Sequence, residues 1–182
     1  MIGPDKDVDG LHPFNIGSLA LKRHFPYFVS CTPLGVVRIL EEILGPEESI
    51  ACKRVVIVGR SNIVGQPLYL LLNNLNAFSK VAFSLTPTAL LEEYVRTADI
   101  VIAACGMPQL IKADWLKQGS IVIDVGINFV HIPDEEKPLM CGDVEFNELT
   151  LEKVKKITPV PGGVGPMTIA MLMSNLVKSW DL

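Results

Sequence analysis

The chain has 182 residues, 49% of them hydrophobic, and a formal net charge of −4 at pH 7. This length and apolar content suit one domain, or one domain with parts of a second, around a sizeable core. The acidic balance argues against a protein that coats nucleic acid or a membrane surface, because neutralising phosphates needs clustered Lys and Arg. No apolar run is long enough to cross a bilayer, and the first residues lack the apolar core of a signal peptide.

Cysteine and histidine spacing predicts neither a disulfide framework nor a metal site. The residues concerned are dispersed and include no CxxC pair: Cys31, Cys52, Cys105, Cys141, His12, His24 and His131. Free thiols indicate a reducing compartment, so we expect a cytoplasmic location. A mitochondrial location stays open, since a cleaved leader would leave no trace in this sequence.

In chain order, residues 1–31 carry turn signals such as Asp9-Gly10 and no alternation of strands with helices. A helix is predicted from Pro33 to about Leu44, where Gly45 stops it. Short β-branched runs then predict strands over Arg54–Val58, Lys80–Ser84, Ile100–Ala104 and Ser120–Asp124. Helices are predicted between them over Gln66–Asn74, Ala89–Ala98 and, briefly, Ala113–Lys117, and again over Thr168–Trp180 near the carboxyl end. Strands that alternate with helices predict an α/β fold with a mostly parallel sheet.

The turn after the first predicted strand runs from Gly59 to Gly65 and contains Arg60 and Ser61. Glycines in such a turn let backbone N–H groups approach a pyrophosphate at the amino end of the next helix. Its spacing departs from the G-x-G-x-x-G pattern, and tight turns also need glycine for conformational reasons alone. A cofactor-binding turn is the favoured interpretation and a structural turn the alternative.

The residues after the second strand favour NADP over NAD. NAD-selective domains usually place a carboxylate there for the ribose 2′-hydroxyl, whereas this chain has Ser84-Leu85-Thr86-Pro87-Thr88. Arg60 in the first turn is suited to a 2′-phosphate instead. An exposed arginine on a loop is the alternative interpretation, and NAD stays open as a cofactor.

Two further glycine turns follow predicted strands, at Gly106 and at Gly126. Ligands of open α/β sheets bind where strands end, so these turns predict a lined cleft beside Gly59. We interpret Cys105 as a small packed residue rather than a nucleophile, because no histidine accompanies it in the sequence.

Several motifs together resemble the bifunctional methylenetetrahydrofolate dehydrogenase/methenyltetrahydrofolate cyclohydrolase family. They are Lys6-Asp7-Val8-Asp9-Gly10-Leu11-His12-Pro13 with Asn15 and Gly17, Cys31-Thr32-Pro33, Gly59-Arg60-Ser61 with Val64-Gly65, Asp124-Val125-Gly126-Ile127-Asn128 followed by Gly142-Asp143-Val144, and Thr158-Pro159-Val160-Pro161-Gly162-Gly163-Val164-Gly165-Pro166-Met167-Thr168. The resemblance covers essentially the whole chain, and the run from Pro161 to Thr168 is highly specific.

The resemblance implies a Rossmann-like domain that holds NADP for oxidation of 5,10-methylenetetrahydrofolate, whose product is then hydrolysed to 10-formyltetrahydrofolate. It implies that the dinucleotide is bound by Gly59, Arg60, Ser61 and Ile127, with Thr32, Gly65, Thr86, Gly106 and Thr168 nearby. It assigns the folate substrate to Asp9, whose carboxylate can accept paired hydrogen bonds from an aminopyrimidine edge, and to Pro161, Gly162 and Gly163. A turn-forming Asp9 is the alternative without the motif. The family also implies a homodimer.

The chain departs from the family pattern in two places. Pro87 replaces a basic residue after the second strand, which weakens the case for NADP. The family's Tyr and Lys, four residues apart on one helix, have no counterpart, since Tyr27, Tyr69 and Tyr94 are not followed by Lys at that spacing. We therefore expect no catalytic residue in this chain, which resembles a fragment of the enzyme.

The expected organisation is a remnant of the folate lobe over 1–31, an NAD(P)-binding domain over 32–158, and a substrate loop with a returning helix over 159–182. Two other functions stay open. One is a non-catalytic module that kept the cofactor or dimer surface. The other is an unrelated NADP enzyme resembling shikimate dehydrogenase, which the run from Pro161 to Thr168 disfavours.

Overall fold

A five-stranded parallel sheet forms the centre of the chain. The computed structural model describes residues 2–21, 26–131 and 138–182, so Met1 and His24 lie outside the described residues. In chain order the elements are α1 (Pro13–Leu21), α2 (Cys31–Leu44), β1 (Arg54–Val58), α3 (Gly65–Asn74), β2 (Phe78–Ala82), α4 (Thr88–Thr97), β3 (Ile100–Ala103), β4 (Ile121–Asp124), β5 (Asn128–Val130), β6 (Leu139–Cys141), α5 (Glu148–Lys153), β7 (Lys156–Ile157) and α6 (Val164–Lys178). Two 3-10 turns cover Ala113–Trp115 and Ser179–Asp181.

The strands of the main sheet follow the order β2-β1-β3-β4-β7, and every neighbouring pair is parallel. The predicted α/β fold with a parallel sheet is therefore confirmed. β1 lies inside the sheet, with Val55 opposite Ser79 of β2 and Ile100 of β3. Gly59 follows β1 at the carboxyl edge. An antiparallel pair, β5 with β6, lies outside this sheet and was not predicted.

Helices cover both faces of the sheet, which explains why its inner strands β1, β3 and β4 are mostly apolar and buried. Ile57 and Ile102 pack towards α2 and α3, in a core that Val164 of α6 completes. Val56 and Val101 pack on the other face against α4. Strands covered on both sides have no polar face, so β1, β3 and β4 read as continuous apolar runs rather than alternating ones.

The structure differs from the predicted elements in several places. β2 ends at Ala82 rather than Ser84, because a turn begins at Phe83: the Thr86 N–H donates to its carbonyl over 2.8 Å. α6 begins at Val164 rather than Thr168. Pro166 lies in its first turn. Proline has no backbone N–H, and it is tolerated there because N–H groups of the first turn have no acceptor within the helix. α1 was missed, although it begins at Pro13 and proline is common at the first position of a helix.

Within the described residues, no helix combines the length and the apolar character needed to cross a membrane.

Candidate dinucleotide-binding site

A groove of about 300 Å³ lies at the carboxyl ends of β1, β2 and β3, which we call the first groove. Its polar or glycine lining comes from three loops: Gly59, Arg60, Ser61, Ser84, Thr86, Thr88 and Cys105, with Phe83 and Met107 among the apolar members. The carboxyl edge is where parallel α/β sheets bind ligands. The sheet order therefore brings together residues that lie 46 positions apart in sequence, from Gly59 to Cys105.

Backbone approaches too close for any side chain shape the first wall of the groove. Gly59 has φ of 129°, and a Cβ there would overlap the carbonyl of Ala104. Gly65, the first residue of α3, approaches the same turn, and a Cβ on it would lie 2.7 Å from the Arg60 Cα. Both glycines are needed because the turn, the loop after β3 and the start of α3 are in backbone contact.

Ser61 ties this turn to α3. Its hydroxyl accepts hydrogen bonds from the N–H of Val64 at 3.2 Å and of Gly65 at 3.5 Å, and its carbonyl accepts from Gln66 at 3.0 Å. The first helical turn has N–H groups without helical acceptors, and these contacts satisfy part of that need. The loop is thereby held against the positive end of the helix, the arrangement that suits a phosphate.

The second wall holds the positive charge of the groove. The Arg60 guanidinium lies 4.2 Å from the centre of the Phe83 ring, close enough for a cation–π contact. Four hydroxyl groups also line the groove, those of Ser61, Ser84, Thr86 and Thr88, and no carboxylate is among its described lining residues. A site with one cation, several hydroxyls and no acid suits an added phosphate better than a bare ribose diol.

The third wall is the loop after β3, from Cys105 to Met107. Its Cys105 N–H donates to the Asp143 carboxylate over 2.7 Å, and the Gly106 N–H donates to the same oxygen over 3.0 Å. Burial, together with the nearby Asp143 charge, raises the pKa of the Cys105 thiol to about 12. The thiol is therefore protonated at neutral pH, which disfavours a nucleophilic role.

A second buried carboxylate, Asp124, lies beneath the same loops at the end of β4. Its oxygens accept from the N–H groups of Gly126 at 3.0 Å, Asp143 at 3.0 Å and Val144 at 2.9 Å. Its own N–H donates to the Thr158 hydroxyl over 2.8 Å. Burial raises the pKa of Asp124 to about 6, although the three backbone donors oppose that shift.

A second groove of about 370 Å³ joins the loop after β4 to the glycine-rich loop before α6. Ile127 lines it together with Pro161, Gly162 and Gly163, so the structure brings these four predicted residues to one place. Ile127 is 56% exposed, so its side chain is free to contact a ligand.

The remaining predicted residues lie around α2 and α6. The Thr168 hydroxyl donates to the Thr32 hydroxyl over 3.1 Å, which links the two helices. Asp9 is exposed and lines neither groove. Its neighbour Val8 is held by Asn175 of α6, whose amide donates to the Val8 carbonyl over 2.8 Å.

No role was predicted from the sequence for Asp143 and Asn128, whose hydrogen bonds hold the loops after β3 and β4 in place. A signal was present, since both residues lie in motifs that carry the family resemblance, Asp124-Val125-Gly126-Ile127-Asn128 and Gly142-Asp143-Val144. Within the described residues, no group of three or more His, Cys, Asp or Glu side chains is placed to hold a metal ion.

The doubly covered parallel sheet and the glycine turn at its carboxyl edge define a Rossmann-like dinucleotide-binding domain. A family model described as "Tetrahydrofolate dehydrogenase/cyclohydrolase, NAD(P)-binding domain" matches residues 30–182. The chain therefore belongs to the tetrahydrofolate dehydrogenase/cyclohydrolase family and contains its NAD(P)-binding domain. The resemblance drawn from the motifs is confirmed, and the alternative of an enzyme resembling shikimate dehydrogenase is excluded.

Individual relatives support the same family assignment. The bifunctional protein FolD of Brucella anthropi is 50% identical over 181 residues, which cover 98% of this chain and 58% of that protein. The mitochondrial C-1-tetrahydrofolate synthase of Saccharomyces cerevisiae is 51% identical over 175 residues, covering 94% of this chain and 17% of that protein. A crystal structure of the Trypanosoma brucei dehydrogenase-cyclohydrolase with NADP and an inhibitor has a TM-score of 0.90 at 39% identity, covering 99% of this chain and 60% of that one. The chain thus spans little more than half the length of its bifunctional relatives.

Proposed function

We propose that this chain supplies the NADP-binding lobe of a methylenetetrahydrofolate dehydrogenase/methenyltetrahydrofolate cyclohydrolase. In the complete enzyme, 5,10-methylenetetrahydrofolate would lose a hydride to become the methenyl form, and water would convert that product to 10-formyltetrahydrofolate. The observation that carries the proposal is the first groove, with its arginine, its four hydroxyls and its backbone-contact glycine turn. The related Trypanosoma brucei enzyme, whose structure includes NADP, supports it.

In this proposal the turn from Gly59 to Ser61 holds the phosphates, and Gly65 places the start of α3 behind them. Arg60 recognises the 2′-phosphate and Thr86 lines the groove beside it, while Gly106 lies in the opposite loop between the lining residues Cys105 and Met107. Ile127 would contact the nicotinamide end, and Thr32 and Thr168 would lie nearby. NADP supplies the hydride acceptor, and the part of this chain is to bind and orient it against the substrate.

Arg60→Ala tests the cofactor assignment. Because a hydrogen bond to a charged group contributes roughly 1.5–3 kcal/mol, we expect NADP affinity to fall about 10- to 100-fold. NAD affinity should change little, since NAD lacks the 2′-phosphate. Calorimetry on both cofactors measures the ratio.

Arg38→Ala is the matched control, because Arg38 is an exposed arginine that pairs with Glu41 on α2 and lines neither groove. An unchanged NADP/NAD ratio in Arg60→Ala would place 2′-phosphate recognition elsewhere.

The folate side of the proposal rests on Asp9 and on the loop of Pro161, Gly162 and Gly163. We infer that 1–31 and 159–182 belong to the folate lobe and that 32–158 form the cofactor domain. An exposed apolar stripe on α6 supports this inference: Ile169 is 61% exposed, Met173 51% and Val177 69%. A stripe of this kind marks an interaction surface, and the bifunctional relatives have the additional length to cover it.

A direct assay separates this proposal from a non-catalytic binding module. The 182-residue chain alone should bind NADP but turn over little or no folate, because among the described residues no lysine lines either groove to act as a proton shuttle. Mixing it with the amino-terminal portion of the Brucella anthropi relative should restore dehydrogenase and cyclohydrolase activity. Full activity of the chain alone would show that it carries its own base, and Lys6→Ala would be examined first. No activity in the mixture, with intact NADP binding, would favour the binding module.

The relatives include bacterial proteins and one described as mitochondrial, so we propose a cytoplasmic location with a mitochondrial one as the alternative.

A further inference from the structure

Asp143 is completely buried at 0% exposure, yet the loops it holds form the sites described above. One carboxylate oxygen accepts from the N–H groups of Cys105 and Gly106, at 2.7 and 3.0 Å. The other accepts from the Asn128 side-chain amide at 2.8 Å. A single side chain thus reaches the loop after β3 and the loop after β4.

These bonds satisfy backbone groups that the sheet leaves without partners. β3 ends at Ala103, and the next N–H, of Ala104, still donates to Val58 of β1. Beyond that point the chain turns away at Gly106, which has φ of 66°, so two consecutive N–H groups need an acceptor from elsewhere. Asp143 provides it from a segment almost forty positions further along the chain.

The charge of Asp143 is compensated by hydrogen-bond donors rather than by a cation. Its described partners are the two backbone N–H groups and the Asn128 amide. A carboxylate held in this way rigidifies its donors, because moving any of them exposes a buried charge to an incomplete set of hydrogen bonds. A Cβ on Gly126 would overlap this carboxylate, so the loop after β4 is also packed directly against it.

We propose that Asp143 is a positioning residue for the dinucleotide. It holds Cys105–Met107 in place as the third wall of the first groove, and through Asn128 it holds the loop that presents Ile127 to the second groove. Asp143 touches no cofactor in this arrangement. The inference rests on the proposed function, since it assumes that the first groove takes NADP.

The test compares Asp143→Ala and Asp143→Asn with the unmodified chain. Alanine leaves both N–H groups without an acceptor, so NADP affinity should fall about tenfold or more. Asparagine keeps one carbonyl oxygen for them, and it should bind NADP with an intermediate affinity. Hydrogen exchange should show faster exchange of the Cys105 and Gly106 amides in both variants. Calorimetry with NADP gives the affinities.

Asp99→Ala is the matched control for a loss of stability alone. Asp99 also accepts a backbone N–H, that of Arg54 at 2.9 Å, and pairs with Lys117, but it lies at the amino edge of the sheet, away from both grooves. This variant should melt at a lower temperature and bind NADP like the unmodified chain.

The outcomes separate the two proposals. Absence of NADP binding by the unmodified chain would overturn the proposed function. If that chain binds NADP and Asp143→Ala binds it equally well, or loses no more affinity than Asp99→Ala, the positioning role is wrong. Faster amide exchange with unchanged affinity would also overturn it. If Asp143→Ala does not fold, Asp143→Asn decides by the same criteria.

Discussion

Gly65 is the point where the glycine turn and α3 approach most closely, and Gly65→Ala tests how far the site depends on that approach. The three atoms nearest to a Cβ at this position would all be backbone atoms. The Cβ would lie 2.7 Å from the Arg60 Cα and 2.8 Å from the Gly59 carbonyl carbon, and it would overlap the Gly59 oxygen. Carbon atoms rest at roughly 3.5–4.0 Å, so the turn or the helix has to move by about 1 Å.

Backbone atoms cannot rotate away as a flexible side chain can, so the displacement has two consequences. Overpacking of this kind typically lowers the free energy of unfolding by about 1–3 kcal/mol. The displaced turn would also misplace Arg60 and Ser61, and a misplacement near 1 Å can cost a site up to about a hundredfold. We expect NADP affinity to fall at least about tenfold.

Urea unfolding and NADP calorimetry measure the two effects separately. Gly17→Ala is the control, because Gly17 lies in α1 and a Cβ there would have nothing within 4 Å. That change should raise the free energy of unfolding by about 0.5–1 kcal/mol, since alanine loses less backbone entropy on folding, and should leave NADP binding unchanged. If Gly65→Ala has the same free energy of unfolding and the same NADP affinity as the unmodified chain, the close approach of the turn and α3 is not needed for stability or for binding.

Three further predictions follow from other features. Burial raises the pKa of Asp124 to about 6 in the folded chain, from the ordinary value of 3.8 that applies when the chain is unfolded. The stabilising contribution of Asp124 is therefore complete below pH 4 and lost as the pH rises through 6. Urea unfolding from pH 4 to 7 measures this. The free energy of unfolding of Asp124→Asn should rise relative to that of the unmodified chain by up to about 3 kcal/mol over this range. A difference between the two that stays constant with pH would contradict the prediction. Phe83→Leu removes the ring beside Arg60 and should reduce the NADP/NAD affinity ratio about two- to fivefold by calorimetry, whereas an unchanged ratio would show that the ring does not orient Arg60. Light scattering should give the mass of a homodimer, and a clean monomer at high concentration would contradict the interface that the family implies.

The sheet could be predicted from the sequence because its strands are buried on both faces. Short β-branched runs such as Val55–Val58 and Ile100–Ala103 indicate buried strands. The helices between them imply that these strands are connected by parallel crossovers. The glycine turn followed from its place directly after such a run. Each of these features depends on residues that are adjacent in the chain, so it can be predicted from a single sequence.

The supports of the site are not local, and reasoning from the sequence missed them. Asp143 lies after β6, outside the main sheet, and its acceptor role depends on Cys105 and Gly106 having no ladder partners. Nothing in the residues around Asp143 indicates which N–H groups it will meet. The cation–π contact of Arg60 was missed for a related reason, since the turn that places Phe83 depends on the Thr86 hydroxyl accepting the Phe83 N–H.

Asp143 shows how residues outside the first groove can influence the affinity for NADP. In a parallel sheet the ladder ends where the ligand binds, so the loops that touch the ligand are the least supported by sheet hydrogen bonds. This chain supplies the missing acceptors from the segment after β6, in which the N–H groups of Asp143 and Val144 in turn donate to Asp124. If the first groove binds NADP as proposed, substitutions at Asp143 and Asp124 should change NADP affinity, although neither residue lines that groove. Because Asp124 takes its own support from Thr158, next to the glycine-rich loop, the same hydrogen-bonded series connects the cofactor wall with the proposed substrate loop. Substitutions along it should thus affect both grooves together, while substitutions at Arg60 affect the first groove alone.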